Sequence, residues 1–381
     1  MQPFYNEQQQ MLAATVREFA QNDLAPLADD VDTNEEFPKT QFAALAELGL
    51  TGLLTSPALG GAGMGYRDFM VVLEEIGAVC GSTSTVLITH TSLGSETINR
   101  FGSDEQRERW MPSLAAGEKI AAFALTEPQT GSDALGLQTS IVDDGDSYIL
   151  NGSKLFITNA SVADVFAVFV TADRSAGYRG ISAIVVERGT SGFEINEQHG
   201  KMGMRGSGTA ELVFSDCRVP RANLLGNVGD GYSIALKILD SSRITVAAQC
   251  LGLAKGALDQ SVAYAKQRNA FGRPIATKQA IQFMLADMAT ELDAARLMVY
   301  RAASLYDGGL PYGTESAKAK LYASEVAGRN VHKAVQIHGG IGYFKPTPVE
   351  RMYRDQRVTE IYEGTSEIQR LVISRELIGD I

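Results

Sequence analysis

Apolar residues recur at mixed three- and four-residue steps over the first third of the chain. QQQMLAATVREFAQNDLAPLA and DFMVVLEEIGAVC both carry this spacing, which gathers the apolar side chains on one helical face. TSPALGGAGMG interrupts them with Pro and Gly, and DEQRERWMPSLAAGE reads as a further short helix and a turn. Near Lys119 the pattern changes. IAAFALTEP opens a region where apolar and polar residues alternate and β-branched residues are enriched. YILNGSKLFIT carries Asn151-Gly152, a favoured two-residue turn, and predicts a hairpin there. VFAVFVTA, ISAIVVERG and TAELVFSDCRVP read as further strands. Residues 120–230 are therefore expected to form a compact antiparallel β domain. After GNVGDGY the helical spacing returns. Ile281, Met284, Leu285, Met288 and Leu292 make one apolar stripe, and SAKAKLYASEVAGRNVHKAVQIHGG is rich in the small residues of closely packed helices. The expected layout is α+β and multi-domain. A helical unit spans 1–119, a β unit 120–230, and a four-helix bundle 231–381.

A chain of 381 residues exceeds one ordinary core and agrees with several packed units. With 45% apolar and 21% charged residues, its composition is that of a globular protein. The formal charge of −11 argues against a nucleic-acid partner. No apolar run is long enough to span a bilayer, and MQPFYNEQQQ is too polar for a signal peptide, so a cytoplasmic protein is expected. Cys80, Cys217 and Cys250 are odd in number and widely spaced, and imply neither a disulfide framework nor a zinc site. His90, His199, His332 and His338 form no ligand pattern, and no metal is expected.

GGAGMGY invites a nucleotide reading, but its spacing is not G-x-G-x-x-G and helical sequence precedes it. A loop between helices fits better. In FALTEPQTGSDALGLQT, Thr126, Thr130 and Ser132 supply hydroxyls and Gly131 permits close backbone approach, so the loop can hold a polar ligand or simply turn. In LFITNA, Phe156 and Thr158 are two apart and project from one face of a strand. An aromatic plane beside a hydroxyl suits a flat heterocycle, and also suits cross-strand packing. RNAFGRPIATKQAIQ sets Arg268, Phe271 and Gln279 around a Gly-Arg-Pro turn, where the Arg fork suits a pyrophosphate. VQIHGGIGY adds Gln336, Gly339 and Gly340. Near the C-terminus, VTEIYEGTSEIQR places Glu363 between an aromatic residue and a glycine.

Together, ALTEPQTGSD, NGSKLFITNA, GMRGSGTAELVF, RNAFGRPI, QIHGGIGY and RDQRVTEIYEGTSEIQR resemble the acyl-CoA dehydrogenases, flavoenzymes that introduce a 2,3 double bond into acyl-CoA thioesters. The stretches occur in the family's order, and the helical, β, helical layout is also the family's. The short-chain and short/branched-chain members look most similar.

The resemblance implies FAD bound between the β domain and the C-terminal helices. Phe123, Leu125, Thr126, Gly131 and Ser132 would line the flavin, Thr158 would reach its N5, and Phe156 would cover the ring where many members have Trp. Arg268, Phe271, Gln279, Gln336, Gly339 and Gly340 would serve the diphosphate and adenosine of a second subunit's cofactor, which implies a dimer at least and a homotetramer by family habit. Thr365 and Glu367 would lie near the adenine half. Glu363 would be the base that takes the α proton while the β hydride passes to flavin. Desolvation would raise its pKa. Some relatives carry the base on the helix of LDSSRITVA, where this chain has Ser242, which cannot act as a base. Ser132, Asp240 and Arg243 would contact CoA, although Asp240 and Arg243 also suit an i,i+3 helix ion pair. Tyr362 would wall the pocket, Gly364 would give room beside the thioester, and Glu360 reads as a structural or surface charge. Electrons would pass to an electron-transfer flavoprotein. An oxidase on the same scaffold and a non-catalytic flavin-binding relative are the alternative readings.

Overall fold

The computed structural model describes residues 5–379; the first four residues of the polar start MQPFYNEQQQ lie outside them. Seven α-helices come first: α1 (Glu7–Phe19), α2 (Ala28–Asn34), α3 (Lys39–Glu47), α4 (Tyr66–Gly77), α5 (Gly81–Ile88), α6 (Glu96–Phe101) and α7 (Asp104–Ala115). Asn6 and Ser103 start α1 and α7 with reciprocal capping boxes to Gln9 and Gln106, satisfying otherwise orphaned N–H groups. The GGAGMGY segment is the loop and N-cap leading into α4, as its sequence predicts.

Eight strands follow: β1 (Ala121–Ala124), β2 (Ser140–Asp144), β3 (Ser147–Ile157), β4 (Val165–Thr171), β5 (Ile181–Glu187), β6 (Phe193–Glu197), β7 (Ala210–Pro220) and β8 (Leu224–Leu225). They form one sheet in the order β6-β7-β3-β2-β4-β5-β8, with β1 added against β4. The pairings are antiparallel except β1 with β4 and β2 with β4, which are parallel. Strand β4 is buried along its whole length, as expected for a strand covered on both faces.

The hairpin expected at Asn151-Gly152 is not there. β3 runs through both residues, and the chain reverses instead between β2 and β3, where Gly145 has φ +74°. Gly152, at φ +137°, marks a register shift opposite β7. The Asn151 amide spans the irregularity, accepting from the Asp216 N–H at 2.8 Å and donating to its carboxylate at 3.1 Å. The Asn-Gly pair supplies backbone freedom, as its type suggests, but spends it on a bulge.

The last part contains α8 (Gly231–Gln267), a ribbon of β9 (Asn269–Ala270) and β10 (Arg273–Pro274), α9 (Gln279–Asp307), α10 (Gly313–His338), α11 (Pro348–Gln356) and α12 (Ser366–Ile378). The α9 stripe faces inward: Met288 and Leu292 are buried, and Ile281, Met284 and Leu285 pack against the same core. α4 crosses α8 at Gly77 and Gly252. A Cβ on Gly252 would lie 2.7 Å from the Glu74 carbonyl, so only glycine permits this approach. Beside the crossing, Arg296 pairs with Glu74 at 2.7 Å, and Tyr5 donates to the same carboxylate. No helix among the described residues is long and apolar enough to cross a membrane.

Candidate active site

A cavity of about 1290 Å³ opens where the sheet, α5, α8 and the C-terminal segment meet. Pockets for one small ligand usually hold roughly 300–1,000 Å³, so this one has room for a large cofactor and a substrate together. Phe123 lines it from β1, Leu125, Thr126, Gly131 and Ser132 from the loop after β1, Phe156 from the end of β3 and Thr158 from the turn that follows. Asp240 and Arg243 reach it from α8, and Tyr362, Glu363, Gly364 and Thr365 from the segment before α12. Glu367 is exposed in the first turn of α12, outside this lining. Arg268, Phe271, Gln279, Gln336, Gly339 and Gly340 are exposed and line no part of the cavity. They sit on the ribbon after α8, the start of α9 and the end of α10. Phe271 is 93% exposed and holds φ +54°.

The loop after β1 is anchored from beneath. Glu127 and Lys154 form a buried ion pair at 2.7 Å. Glu127 also accepts from the N–H groups of Gln138 at 2.7 Å and Thr139 at 3.0 Å, and Lys154 also donates to the Leu125 carbonyl at 3.1 Å. Burial pushes the Glu127 carboxyl up, but the Lys154 charge and these donors outweigh it and hold the group below its ordinary range. The loop that carries Thr126, Gly131 and Ser132 is thereby tied at both ends to β3. On the facing wall Phe156 is 65% exposed, with φ +59°. Phe156 and Thr158 do meet the same cavity, but not through strand alternation: β3 shifts register between Lys154 and Ile157, and Thr158 lies in the turn beyond it.

Glu363 has the left-handed value φ +53°, a strained conformation for a residue with a Cβ, and its surroundings hold it there. The Gln369 amide donates to the carbonyls of Glu363 at 3.2 Å and Gly364 at 2.9 Å. The buried Lys320 ammonium donates to the Gly364 carbonyl at 2.7 Å. Tyr362 donates to Gln249, whose amide donates in turn to the Thr85 hydroxyl at 2.7 Å. The Glu363 carboxylate accepts a hydrogen bond from the Ser242 hydroxyl. Burial pushes the Glu363 carboxyl up. The Ser242 hydroxyl and the charges of Lys320 and Arg243 pull it partly back, leaving it at about 7. An acid poised there can exchange a proton near neutral pH. The Glu363 N–H has no hydrogen-bond acceptor among the described residues.

The i,i+3 ion pair considered for Asp240 and Arg243 is present at 2.6 Å, with the Arg243 side chain almost wholly buried. Glu360 is paired with Arg357 at 2.9 Å and accepts from Gln356 at 2.8 Å, which is a structural arrangement. Sequence reasoning missed Glu127, Lys154, Gln249, Lys320 and Gln369, and passed over Ser242 as merely unable to act as a base. One signal was available: Lys154 takes an inward position on an otherwise apolar strand face, and such a charge demands a buried partner.

The models for the N-terminal, middle and C-terminal domains of acyl-CoA dehydrogenase match residues 6–118, 122–217 and 229–378. The short-chain specific acyl-CoA dehydrogenase of Clostridium acetobutylicum is 46% identical over 370 residues, 97% of this chain and 98% of that protein. Among solved structures, butyryl-CoA dehydrogenase from Megasphaera elsdenii superposes with a TM-score of 0.96 at 41% identity, covering 98% of this chain and 99% of that one. A chain from the structure of the electron transferring flavoprotein of Acidaminococcus fermentans gives a TM-score of 0.97 at 44% identity, with both chains fully covered. This chain belongs to the acyl-CoA dehydrogenase family.

Proposed function

We propose that the protein is an FAD-dependent dehydrogenase that converts a short straight or branched acyl-CoA to its trans-2-enoyl-CoA. The observation that carries this reading is Glu363: a carboxylate in a large cavity, on a backbone held in place by Gln369, and raised to about 7 by burial. The cavity's donor set fits a flavin. Phe156 offers an uncovered aromatic face, Thr126, Thr158 and Ser132 offer hydroxyls, and the backbone at Gly131 is open to close approach. Bound FAD would supply the acceptor for the hydride leaving the β carbon. Glu363 takes the α proton, and desolvation narrows the gap between this base and a weak carbon acid. The uncommitted N–H of Glu363 can donate to the thioester oxygen as charge develops there. Tyr362 closes the wall next to the base, while Asp240, Arg243 and Ser132 face the CoA side and Gly364 leaves space for the thioester.

A short acyl group is supported by the chain of bonds from Tyr362 through Gln249 to Thr85, since Thr85 and Tyr362 line the cavity and a longer chain would have to displace them. The exposed set of Arg268, Phe271, Gln279, Gln336, Gly339 and Gly340 is assigned to the diphosphate and adenosine of a neighbouring subunit's FAD, with Thr365 and Glu367 near the adenine half. The assembly is then a dimer at least, and a homotetramer in this reading, each chain being built of the three units 1–119, 120–230 and 231–381. Electrons pass to an electron-transfer flavoprotein in the cytoplasm. The structural likeness to a chain from the structure of such a flavoprotein supports that acceptor.

The test is anaerobic titration with a panel of saturated acyl-CoAs, following flavin absorbance, beside Glu363→Gln. Bleaching by short thioesters in the wild type, absent from a variant that keeps its FAD, is the expected result. Bound FAD that no thioester bleaches would overturn the reading.

A further inference from the structure

We infer that Ser242 is a positioning residue for Glu363, holding its carboxylate in the resting site and setting how readily it gives up and takes a proton. The inference rests on the assignment of Glu363 as the base. Glu363 is fixed by its backbone, because Gln369 and Lys320 bind the carbonyls of Glu363 and Gly364. Those bonds leave the side chain free to rotate. Among the described residues, the one side chain that hydrogen-bonds its carboxylate is Ser242, which lies fully buried on α8. A hydroxyl aimed at an otherwise desolvated carboxylate fixes its direction and favours its charged form.

The hydroxyl has a second acceptor, the Leu239 carbonyl three residues earlier on α8, at 3.2 Å. It carries one proton and can serve only one acceptor fully at a time. When Glu363 turns toward a substrate carbon or becomes protonated, Ser242 can return its hydrogen bond to the helix. No buried donor is then orphaned, so releasing the carboxylate carries little penalty. Alanine would leave the carboxylate without a partner, and a permanently charged donor could not let it go. Threonine keeps the hydroxyl and its rotation. The other charges facing Glu363 are Lys320 on α10 and Arg243 on α8, the latter paired with Asp240. Tyr362 adjoins it on the same segment. None of these changes in the variants below, so a shift reports on the hydroxyl alone.

The experiment compares FAD-loaded wild type, Ser242→Ala and Ser242→Thr in two ways. The first is the pH midpoint of the protonated-carboxyl infrared band that Glu363→Gln abolishes, which needs no turnover. The second is the pH profile of anaerobic flavin bleaching by butyryl-CoA. Loss of a hydrogen bond to a charged group predicts a midpoint about one pH unit higher in Ser242→Ala, and so about tenfold slower bleaching below the wild-type midpoint with rates converging above it. Ser242→Thr restores both. A midpoint and profile in Ser242→Ala equal to wild type, or shifted downward, would overturn the inference. If Ser242→Ala does not fold, Ser242→Cys, with its weak donor, takes its place under the same two outcomes. Full bleaching by Glu363→Gln would instead remove the base assignment on which the inference stands.

Discussion

Two parts of the molecule carry the residues that the family resemblance assigns to one cofactor, and they are built differently. Around Glu363 nearly every assigned residue lines one cavity, and bonds from α8, α10 and α12 hold the segment in place. Around Arg268 the assigned residues stand in solvent, on a two-residue ribbon and two helix ends, with Phe271 uncovered. One side is gathered within a single chain. The other side is exposed and lines no part of that cavity. An exposed aromatic residue held at positive φ, as Phe271 is, is costly to keep, and a second copy of the chain would give it a partner.

Four perturbations sharpen or break this contrast. The largest effect is expected at the proposed base. Glu363→Gln keeps size and packing while removing basicity, so anaerobic bleaching should slow by about 10³-fold or more with FAD retained. Next is the anchor beneath the loop. Lys154→Met leaves Glu127 buried without its counter-charge and should cost about 3–5 kcal/mol of stability, read by denaturant unfolding. The double variant Lys154→Met/Glu127→Gln should recover part of that loss. Third, Arg268→Met should leave the unfolding midpoint of the apoprotein unchanged, since the side chain is exposed. It should weaken FAD binding about 10–100-fold, the loss of one charge-assisted contact. Unchanged FAD affinity in an assembled oligomer would mean that the exposed surface serves something else.

The smallest effect concerns stability at the base itself. Burial raises the Glu363 carboxyl to about 7 in the folded protein, above its value in an unfolded chain. The stability it contributes is therefore fully present below the unfolded pKa and lost as pH rises through about 7. Glu363→Gln avoids this loss, so at about pH 8.5 the apo variant should be more stable than wild type by about 1–3 kcal/mol, with no difference near pH 4. Equal stability at both pH values would mean that the carboxylate is better solvated than its burial implies. Activity has the matching sign: bleaching should rise with pH through about 7, because the base acts deprotonated.

Much of this was legible along the chain, for identifiable reasons. Helical spacing in the α9 stripe and alternation in TAELVFSDCRVP report a local period, and the period marks which face is buried. The motif around Glu363 is contiguous, so one short stretch carries the candidate base together with Tyr362 and Gly364. The Asn151-Gly152 error has the same local origin. The pair marks a place where the backbone takes positive φ, but a turn and a bulge need the same freedom, and only the pairing partner β7 decides between them. Lys154 and Glu127 are 27 residues apart, and Ser242 and Glu363 are 121 apart. No local pattern links such pairs.

By itself, then, the sequence determined the order of helical and β units, the stripes that build the cores, the family, and a candidate base with its neighbours. The tertiary structure decided which of the assigned residues share a cavity and which face solvent. It also decided that the loop after β1 rests on a buried ion pair, and that the hydroxyl on α8 meets the carboxylate before α12. The physical reason is range. Periodicity and turn chemistry act over a few residues, whereas desolvation, ion pairing and a raised carboxyl depend on groups that meet only once the chain has folded.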